Sequence, residues 1–203
     1  MIVSVGGSRA GISAIRALGR GGFEVLAADS APTPLGLRSR WAAGHLELPP
    51  PQRWDGLAAV LESARAQAIL PMDSALAGFC ATHRERLQRV IGVAVPDEAG
   101  FQAAYDNQLT LAACARLGIP APRILDPASC DGPVVVKPRP DIGAARGVAF
   151  CHGRAEVAQA MAACRPLGEP LVQELIPGGP EAMRTVVLLF DRRSRPIAHF
   201  TTR

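Results

Sequence analysis

The sequence predicts an α/β fold made of two parts, a parallel-sheet domain followed by a small α+β lobe whose sheet is mostly antiparallel. Three observations support this prediction. The 203 residues are 48% hydrophobic and 20% charged, which allows a sizeable core and excludes a disordered chain or a fibre. The first half alternates short apolar runs with segments of helical periodicity, as parallel sheets do. The second half instead places several strand-like runs around one helix.

In the first half, apolar runs predict strands and the segments between them predict helices. The strand Ile2–Val5 leads through a glycine-rich turn into a helix whose apolar face carries Ile12, Ile15 and Leu18. The Pro-, Gly- and Arg-rich segment Ala31–Trp41 predicts an irregular loop. The other predicted elements are four strands and two helices: Glu24–Ala28, His45–Leu48, a helix through Trp54 to Leu61, Ala68–Leu70, a helix over Ser74–Leu87, and Val93–Val95.

The second half begins with a helix over Asn107–Leu117 that ends at Gly118, because glycine is the usual residue after a helix. The proline-bearing segment Gly118–Arg123 predicts a linker. The remaining predictions are strands, a helix and their connections: Val134–Lys137, a loop Pro138–Gly147, Val148–Cys151, a helix through Val157 to Cys164, Leu171–Ile176, a turn Pro177–Pro180, and the strands Ala182–Phe190 and Ile197–Thr202 joined by Asp191–Pro196.

Composition excludes several classes of protein. The net charge is only +4 and aromatic residues are 4%, so we expect no nucleic-acid partner. No apolar run approaches the roughly 20 residues that span a bilayer, and no basic flank precedes the first strand. We therefore expect no membrane partner and a cytoplasmic location. The five cysteines form no CxxC pair and the four histidines are scattered, which favours buried reduced thiols over disulfides or a zinc site.

A glycine-rich turn over Gly6–Gly11 lies between a predicted strand and helix, where backbone N–H groups can bind an anion. Asp29 ends the second strand, where a dinucleotide-binding enzyme would hold a ribose. The turn does not match the strict G-x-G-x-x-G spacing. Close packing of helix on strand is the favoured explanation for these glycines, so the motif alone is weak evidence for NAD(P) binding.

Lys137 is a more informative residue, because it is the only lysine among 22 basic side chains. An ammonium is a compact charge that fits between phosphate oxygens, whereas arginine carries a wider planar fork. Lys137 ends a Val-Val-Val strand directly before a loop of small residues, Asp141–Gly147, whose amides could approach a polyphosphate. The alternative is an ordinary surface lysine beside a common small-residue turn.

Two motifs, PVVVKPRPDIGAARGV and then LVQELIPGGPE, resemble the nucleotide-binding half of the ATP-grasp family. The upstream segment YDNQLTLAACARLGIPAPR is similar to the helix that precedes that half in carboxylate–amine ligases and carbamoyl-phosphate-synthase-like proteins. The resemblance implies a Rossmann-like domain over 1–105, a connecting helix and linker over 106–123, and the N-terminal ATP-grasp lobe over 124–203. It also implies that ATP is the cofactor.

By this resemblance, Lys137 binds the α and β phosphates and the loop through Gly143, Ala144, Arg146 and Gly147 folds over them. The strand Leu171–Ile176 then meets the adenine. The groups that the resemblance assigns to the nucleoside are the Gln173 side chain for the amino group, the Glu174 carbonyl and Ile176 N–H for the purine edge, and Glu181 for the ribose hydroxyls. Without the resemblance, Glu174 and Glu181 are ordinary exposed carboxylates beside a turn.

The sequence departs from the family pattern at two places. Asp106-Asn107 stands where the family usually has Asp-Lys, so a second phosphate-binding lysine is replaced by a residue that can donate a hydrogen bond without a charge. The magnesium ligands of the family lie in a further lobe, and no acidic residue after Lys137 has the spacing to replace them. Phosphoryl transfer needs a divalent metal at the β and γ phosphates.

These observations favour an ATP-grasp ligase-like protein that binds nucleotide weakly and is catalytically incompetent as this chain. Its relatives activate a carboxylate as an acyl phosphate for attack by an amine. The alternative is a non-catalytic binding module or split-gene subunit, completed by a second chain or by self-association through the edge strand Ile197–Thr202. A third possibility, a Rossmann oxidoreductase, leaves Lys137 and the second half without a role.

Overall fold

A computed structural model describes residues 1–4, 9–30, 35–143 and 145–202. Within these ranges it has ten strands and seven α-helices. In chain order these are β1 Ile2–Ser4, α1 Arg9–Arg20, β2 Leu26–Asp29, β3 Gly44–Glu47, α2 Leu57–Ser63, β4 Ala68–Leu70, α3 Ser74–Thr82, α4 Arg84–Leu87, β5 Gly92–Val93, α5 Glu98–Tyr105, α6 Asn107–Leu117, β6 Val134–Pro138, β7 Ala149–Cys151, α7 Arg154–Cys164, β8 Pro170–Glu174, β9 Thr185–Phe190 and β10 Pro196–Thr202.

The first five strands form a parallel sheet in the order β3-β2-β1-β4-β5. Successive side chains of β1 point to opposite faces, so Ile2 joins a core with α2 and α3, while Val3 joins a separate core with Ile15 of α1. Helices therefore cover both faces of the sheet. The predicted parallel α/β domain is confirmed.

The second part contains a three-stranded antiparallel sheet in the order β7-β6-β8. Val134, Val136 and Val172 point from this sheet toward α7, where Val157 and Cys164 complete a small buried core. The predicted α+β lobe with a mostly antiparallel sheet is confirmed. Lys137 is the last residue but one of the central strand β6, so the predicted site lies on this sheet.

The last two strands form a hairpin that is separate from that sheet. Every residue of β9 and β10 is exposed, and apolar side chains lie on both faces of the hairpin. The chain has an accessible surface of 12940 Å². A compact monomer of 21.3 kDa has about 9,100 Å², so the surface is larger by about 3,800 Å².

Several boundaries differ from the sequence-based predictions. The predicted helix over Ser74–Leu87 is interrupted at His83, and the strand predicted from Ala182 begins at Thr185, after a short 3-10 turn. The strand predicted over Leu171–Ile176 is Pro170–Glu174. A short helix, α5, was not predicted; it has only eight residues, and one of them is Gly100, which has a low helix propensity. Among the described residues, no helix is long and apolar enough to cross a membrane.

Candidate functional site

Lys137 and Gln173 lie on the face of the small sheet that points away from α7. Val134 and Val136 point into the core with α7, so strand alternation puts Val135 and Lys137 on the opposite face. The antiparallel register pairs Val135 with Gln173, and directly paired residues share a face. The Cα atoms of Lys137 and Gln173 are therefore about 8 Å apart, one strand across and two residues along.

The Lys137 side chain lines a cavity of about 220 Å³ at the end of β6. Burial lowers the pKa of the Lys137 ammonium, and the nearby Asp141 carboxylate only partly opposes that effect. No hydrogen bond or ion pair to the Lys137 ammonium is found among the described parts of the chain. The other residues lining the cavity are Asn107, Pro138, Pro140, Asp141, Ile142, Gly143, Ala145, Arg146 and Val148.

The loop that follows β6 closes one side of this cavity. Gly143, Ala145 and Gly147 have positive φ angles of 72°, 53° and 73°. The Asp141 carboxylate accepts the N–H of Gly143, and Arg146 donates to the Ile142 carbonyl oxygen at 2.8 Å. Left-handed residues in a turn can bring successive backbone N–H groups to one side, which suits an anion, although the Gly143 N–H is already bonded to Asp141. Of the predicted loop residues, Ala144 lies outside the described residues.

Gly147 anchors the end of the loop by close packing. A Cβ atom at Gly147 would come within 2.7 Å of the Leu167 side chain and 2.9 Å of the Pro138 ring. A Cβ at Gly143 would meet nothing within 4 Å. Gly147 is therefore required by both its backbone angle and its neighbours, whereas Gly143 is required by its angle alone.

Asn107, the first residue of α6, also lines the cavity. Its side-chain amide donates to the carbonyl oxygens of Pro138 at 3.1 Å and Arg139 at 3.0 Å. Its backbone N–H also donates to Arg139, at 2.8 Å. Asn107 thus joins the connecting helix to the exit of β6, and both amide hydrogens are used for that purpose. The predicted hydrogen bond from Asn107 to a phosphate remains a prediction.

Gln173 presents an unusual buried group on the same face as Lys137. Its side-chain oxygen is buried and has no hydrogen-bond partner within the described ranges. A buried acceptor without a donor is costly, at about 1–3 kcal/mol. A ligand donor at this point, such as an exocyclic amino group, would remove that cost.

Glu174 has a structural partner in the linker. Arg123 donates to its carboxylate from the backbone N–H at 3.0 Å and from Nε at 2.8 Å, and this lowers the pKa of the Glu174 carboxyl. The Glu174 N–H donates in turn to the Arg123 carbonyl, so residues 123–125 pair with the outer edge of β8 up to this point. The predicted purine edge at the Glu174 carbonyl and Ile176 N–H lies where this pairing stops.

The last predicted contacts are exposed. Ile176 follows the end of β8 and is 56% exposed. Glu181 lies in the short 3-10 turn before β9, with its carboxylate folded over Gly179 so closely that a side chain there would collide with it. No distance joins Glu181 to the Lys137 cavity, and its role toward a ribose stays a prediction.

The alternative site in the first domain is only partly described. Asp29 ends β2 at the carboxyl edge of the parallel sheet, and Gly11 is buried in α1. Gly6, Gly7 and Ser8 lie outside the described residues. The interpretation of this turn as a dinucleotide site therefore stays a prediction.

The described residues do not fit a metal ion. No three His, Cys, Asp or Glu side chains come together within the described ranges in a group that could hold one. We therefore derive no step through a metal. All five cysteines are free, and those at positions 80, 130, 151 and 164 are buried.

Arg139 and Glu169 were missed by the sequence analysis, and Asp106 was named there only as part of a departure from the family pattern. Arg139 forms ion pairs with Asp106 at 2.7 Å and Glu169 at 3.0 Å. The position of Asp106 before a helix signalled its role as an N-cap. Its pairing with Arg139 spans 33 residues of sequence, and no local pattern indicates it.

No protein-family model matches the sequence. No curated protein matches it either.

Solved structures reveal the fold. N5-carboxyaminoimidazole ribonucleotide synthetase from Thermus thermophilus aligns with 98% of this chain and 53% of its own, at 17% identity and a TM-score of 0.69. L-amino acid ligase from Bacillus licheniformis aligns with 98% of this chain and 48% of its own, at 15% identity and a TM-score of 0.69. Carboxyaminoimidazole ribonucleotide synthase from Aspergillus clavatus, complexed with ATP, aligns with 98% of this chain and 52% of its own, at 13% identity and a TM-score of 0.71.

The chain has the ATP-grasp-like fold of these proteins over nearly all its length, as the sequence motifs predict. It spans about half the length of each of them.

Proposed function

We propose that this chain is an ATP-grasp ligase-like protein that binds ATP on the open face of its small sheet. The observation that carries the proposal is Lys137, a half-buried cation that lines a cavity and has no hydrogen bond or ion pair among the described residues. The nearby Asp141 carboxylate offsets only part of the cost of burying this ammonium, and a polyphosphate would supply further negative charge.

The surrounding groups suit a nucleotide at both ends. A loop that contains three residues with positive φ angles lies beside Lys137, and Gln173, whose Cα atom is about 8 Å from that of Lys137 on the same face, has a buried oxygen that lacks a donor. The Aspergillus clavatus neighbour was solved with ATP, and a 2-oxoglutarate carboxylase domain from Hydrogenobacter thermophilus, with a TM-score of 0.64, was solved with ADP. These likenesses support ATP as the ligand here.

We further propose that this chain alone does not complete a ligation. The described residues hold no metal-binding group, and about half of each ligase neighbour has no counterpart in the chain. The carboxylate and amine substrates of any complete reaction therefore stay open. Nucleotide binding without turnover is the expected behaviour of these 203 residues.

The test is an ATP titration by calorimetry on the wild-type protein, Lys137→Met and Arg154→Gln. Lys137→Met removes the charge but keeps an unbranched side chain, and it should weaken ATP binding by about 10- to 100-fold, since hydrogen bonds to charged groups contribute about 1.5–3 kcal/mol. Arg154→Gln removes a cation from the same lobe whose exposed ion pair with Asp131 lies outside the cavity. Equal ATP affinity in all three proteins would refute the proposal.

A second candidate function, a subunit completed by another polypeptide, is favoured by the β9–β10 hairpin. Val187, Leu189 and Phe200 share one face of it and are 40%, 57% and 56% exposed. Strands that are apolar on both faces are typical of sheets covered on both sides. Light scattering over a range of concentrations tests this candidate, and a chain that stays monomeric and binds no added polypeptide would count against it.

A further inference from the structure

Arg139 follows Lys137 by two residues and joins three segments of the chain. Its Nε donates to an Asp106 carboxylate oxygen at 2.7 Å, and one of its terminal nitrogens donates to Glu169 at 3.0 Å. We propose that Arg139 is a positioning residue of the nucleotide site, which holds Lys137 in place by tying the exit of β6 to the connecting helix and to the segment before β8. This inference rests on the proposed function.

The main chain of Arg139 is held as firmly as its side chain. Its N–H donates to the Glu169 carbonyl oxygen at 2.8 Å. Its own carbonyl accepts from the backbone N–H of Asn107 at 2.8 Å and from the Asn107 amide at 3.0 Å. The main chain and the side chain of the residue therefore both bind to the two neighbouring segments, which fixes the direction in which the chain leaves β6.

Asp106 is the stronger anchor of the two acidic partners. One of its carboxylate oxygens caps α6 by accepting from Gln108 at 2.9 Å and Leu109 at 3.2 Å, and the other accepts from Arg139. The Asp106 side chain is 17% exposed, whereas that of Glu169 is 70% exposed. Because exposed ion pairs contribute little, the Asp106 pair should carry most of the effect.

Arg139 itself does not line the Lys137 cavity, although Asn107, Pro138 and Pro140 do. The residue is therefore placed to act through its neighbours rather than by touching a ligand. If the bonds from Arg139 to Asp106 and Glu169 are lost, the end of β6 can shift relative to α6, and the cavity around Lys137 opens to water.

Two variants separate this role from a direct contact with phosphate. Arg139→Gln removes the cation and both ion pairs. Asp106→Asn keeps the Arg139 charge and a good N-cap but removes the charged acceptor. If Arg139 is a positioning residue, both variants should weaken ATP binding by about tenfold, and Glu169→Gln should weaken it by less. Arg154→Gln, which removes a surface ion pair outside the cavity, is the control and should leave ATP binding unchanged.

A second readout is the pH midpoint for acylation of Lys137, the only lysine of the chain, followed by mass spectrometry of the peptide that contains it so that acylation of the α-amino group is counted separately. The charged groups that line its cavity are Asp141 and Arg146, and neither changes in these variants. An opened cavity would rehydrate the ammonium, so Arg139→Gln and Asp106→Asn should both move the midpoint up toward that of a free lysine. Circular dichroism and thermal unfolding monitor the folding of each variant. A change in folding alone would not raise the acylation midpoint of Lys137 in both variants.

The outcomes are distinct. Tighter or unchanged ATP binding by Asp106→Asn, with weaker binding by Arg139→Gln, would assign Arg139 to the phosphates and overturn the inference. An unchanged Lys137 midpoint in both variants would overturn it as well. A wild-type protein that binds no ATP would refute the proposed function, while the midpoints would still decide whether Arg139 positions Lys137. If Arg139→Gln does not fold, Asp106→Asn and Glu169→Gln give the same test.

Discussion

Lys137 and Gln173 lie on one face of the small sheet, on adjacent antiparallel strands, with the charged group near one end and a buried acceptor two residues further along. This spacing matches a ligand with an anionic tail and a hydrogen-bond donor at its head. If the proposed site binds a nucleotide, we expect Gln173 to influence which base is preferred.

We expect the protein to prefer ATP over GTP. In the orientation that the structure shows, the Gln173 oxygen can accept from the amino group of adenine. Guanine presents a carbonyl oxygen instead, so it requires either a rotated amide or an unmatched buried acceptor, which costs about 1–3 kcal/mol. Gln173→Leu should reduce the preference by about tenfold while leaving pyrophosphate binding unchanged. Competition titrations with the two nucleotides measure this, and an equal preference in both proteins would contradict it.

Asn107→Lys should strengthen ATP binding and weaken the fold. The variant adds a cation to the wall of the Lys137 cavity, and charge-assisted hydrogen bonds are about twice as strong as neutral ones. It also loses the two amide bonds to Pro138 and Arg139, which should lower the free energy of unfolding by about 1–3 kcal/mol. Asn107→Met is the control for the lost bonds. Equal ATP affinity in the two variants would show that the added charge does not reach the ligand.

Gly147→Ala should destabilise the protein more than Gly143→Ala. Both residues have positive φ angles, which cost an alanine about 1–2 kcal/mol. Only Gly147 also lacks room for a Cβ atom, because Leu167 and Pro138 are within 2.9 Å of it, and overpacking adds about 1–3 kcal/mol. Chemical denaturation gives both values. The reverse change, Ala145→Gly, should be stabilising, and equal losses at positions 143 and 147 would contradict the packing argument.

Cys80 should make the protein less stable at alkaline pH. Burial, with a smaller effect from Asp73, raises the pKa of the Cys80 thiol from 9.0 to about 12. Between these values the unfolded chain loses the proton and the folded chain keeps it. The free energy of unfolding should therefore fall by about 1.4 kcal/mol per pH unit as the pH rises above 9.

The measurement is urea denaturation at about pH 8, 9 and 10 for the wild-type protein and Cys80→Ala. The difference between the two proteins isolates Cys80 from the other thiols. The two curves should converge as the pH rises, and a constant difference would contradict the raised pKa. In the folded protein, Cys80 should also resist iodoacetamide at about pH 8, because the reactive form is the thiolate.

Replacing the apolar face of the hairpin should change association without changing stability. Val187, Leu189 and Phe200 are at least 40% exposed, so threonine at all three positions removes little packing and keeps strand propensity. We expect the triple variant to be more monomeric than the wild type by light scattering, with the same thermal midpoint. A fall of several degrees in that midpoint would mean that these side chains pack within the chain.

The fold and the position of Lys137 were predictable because the signals are local. Apolar runs fix the strands, and a single lysine after three valines identifies the exit of β6. The role of Asn107 was not predictable, since its amide bonds residues 31 and 32 positions away. The pairing of Arg123 with Glu174 across 51 residues was missed for the same reason. Helix α5 was not predicted because it has only eight residues and contains Gly100, although Asp97 caps it.

The large accessible surface has a consequence for calorimetry. Unfolding a compact 21.3 kDa chain exposes about 21,800 Å², whereas this chain already exposes about 3,800 Å² of that when folded. Its heat-capacity increment and urea m-value should therefore be about a sixth below those of an ordinary domain of 203 residues, since both scale with newly hydrated area. A polypeptide that covers the hairpin would raise both quantities.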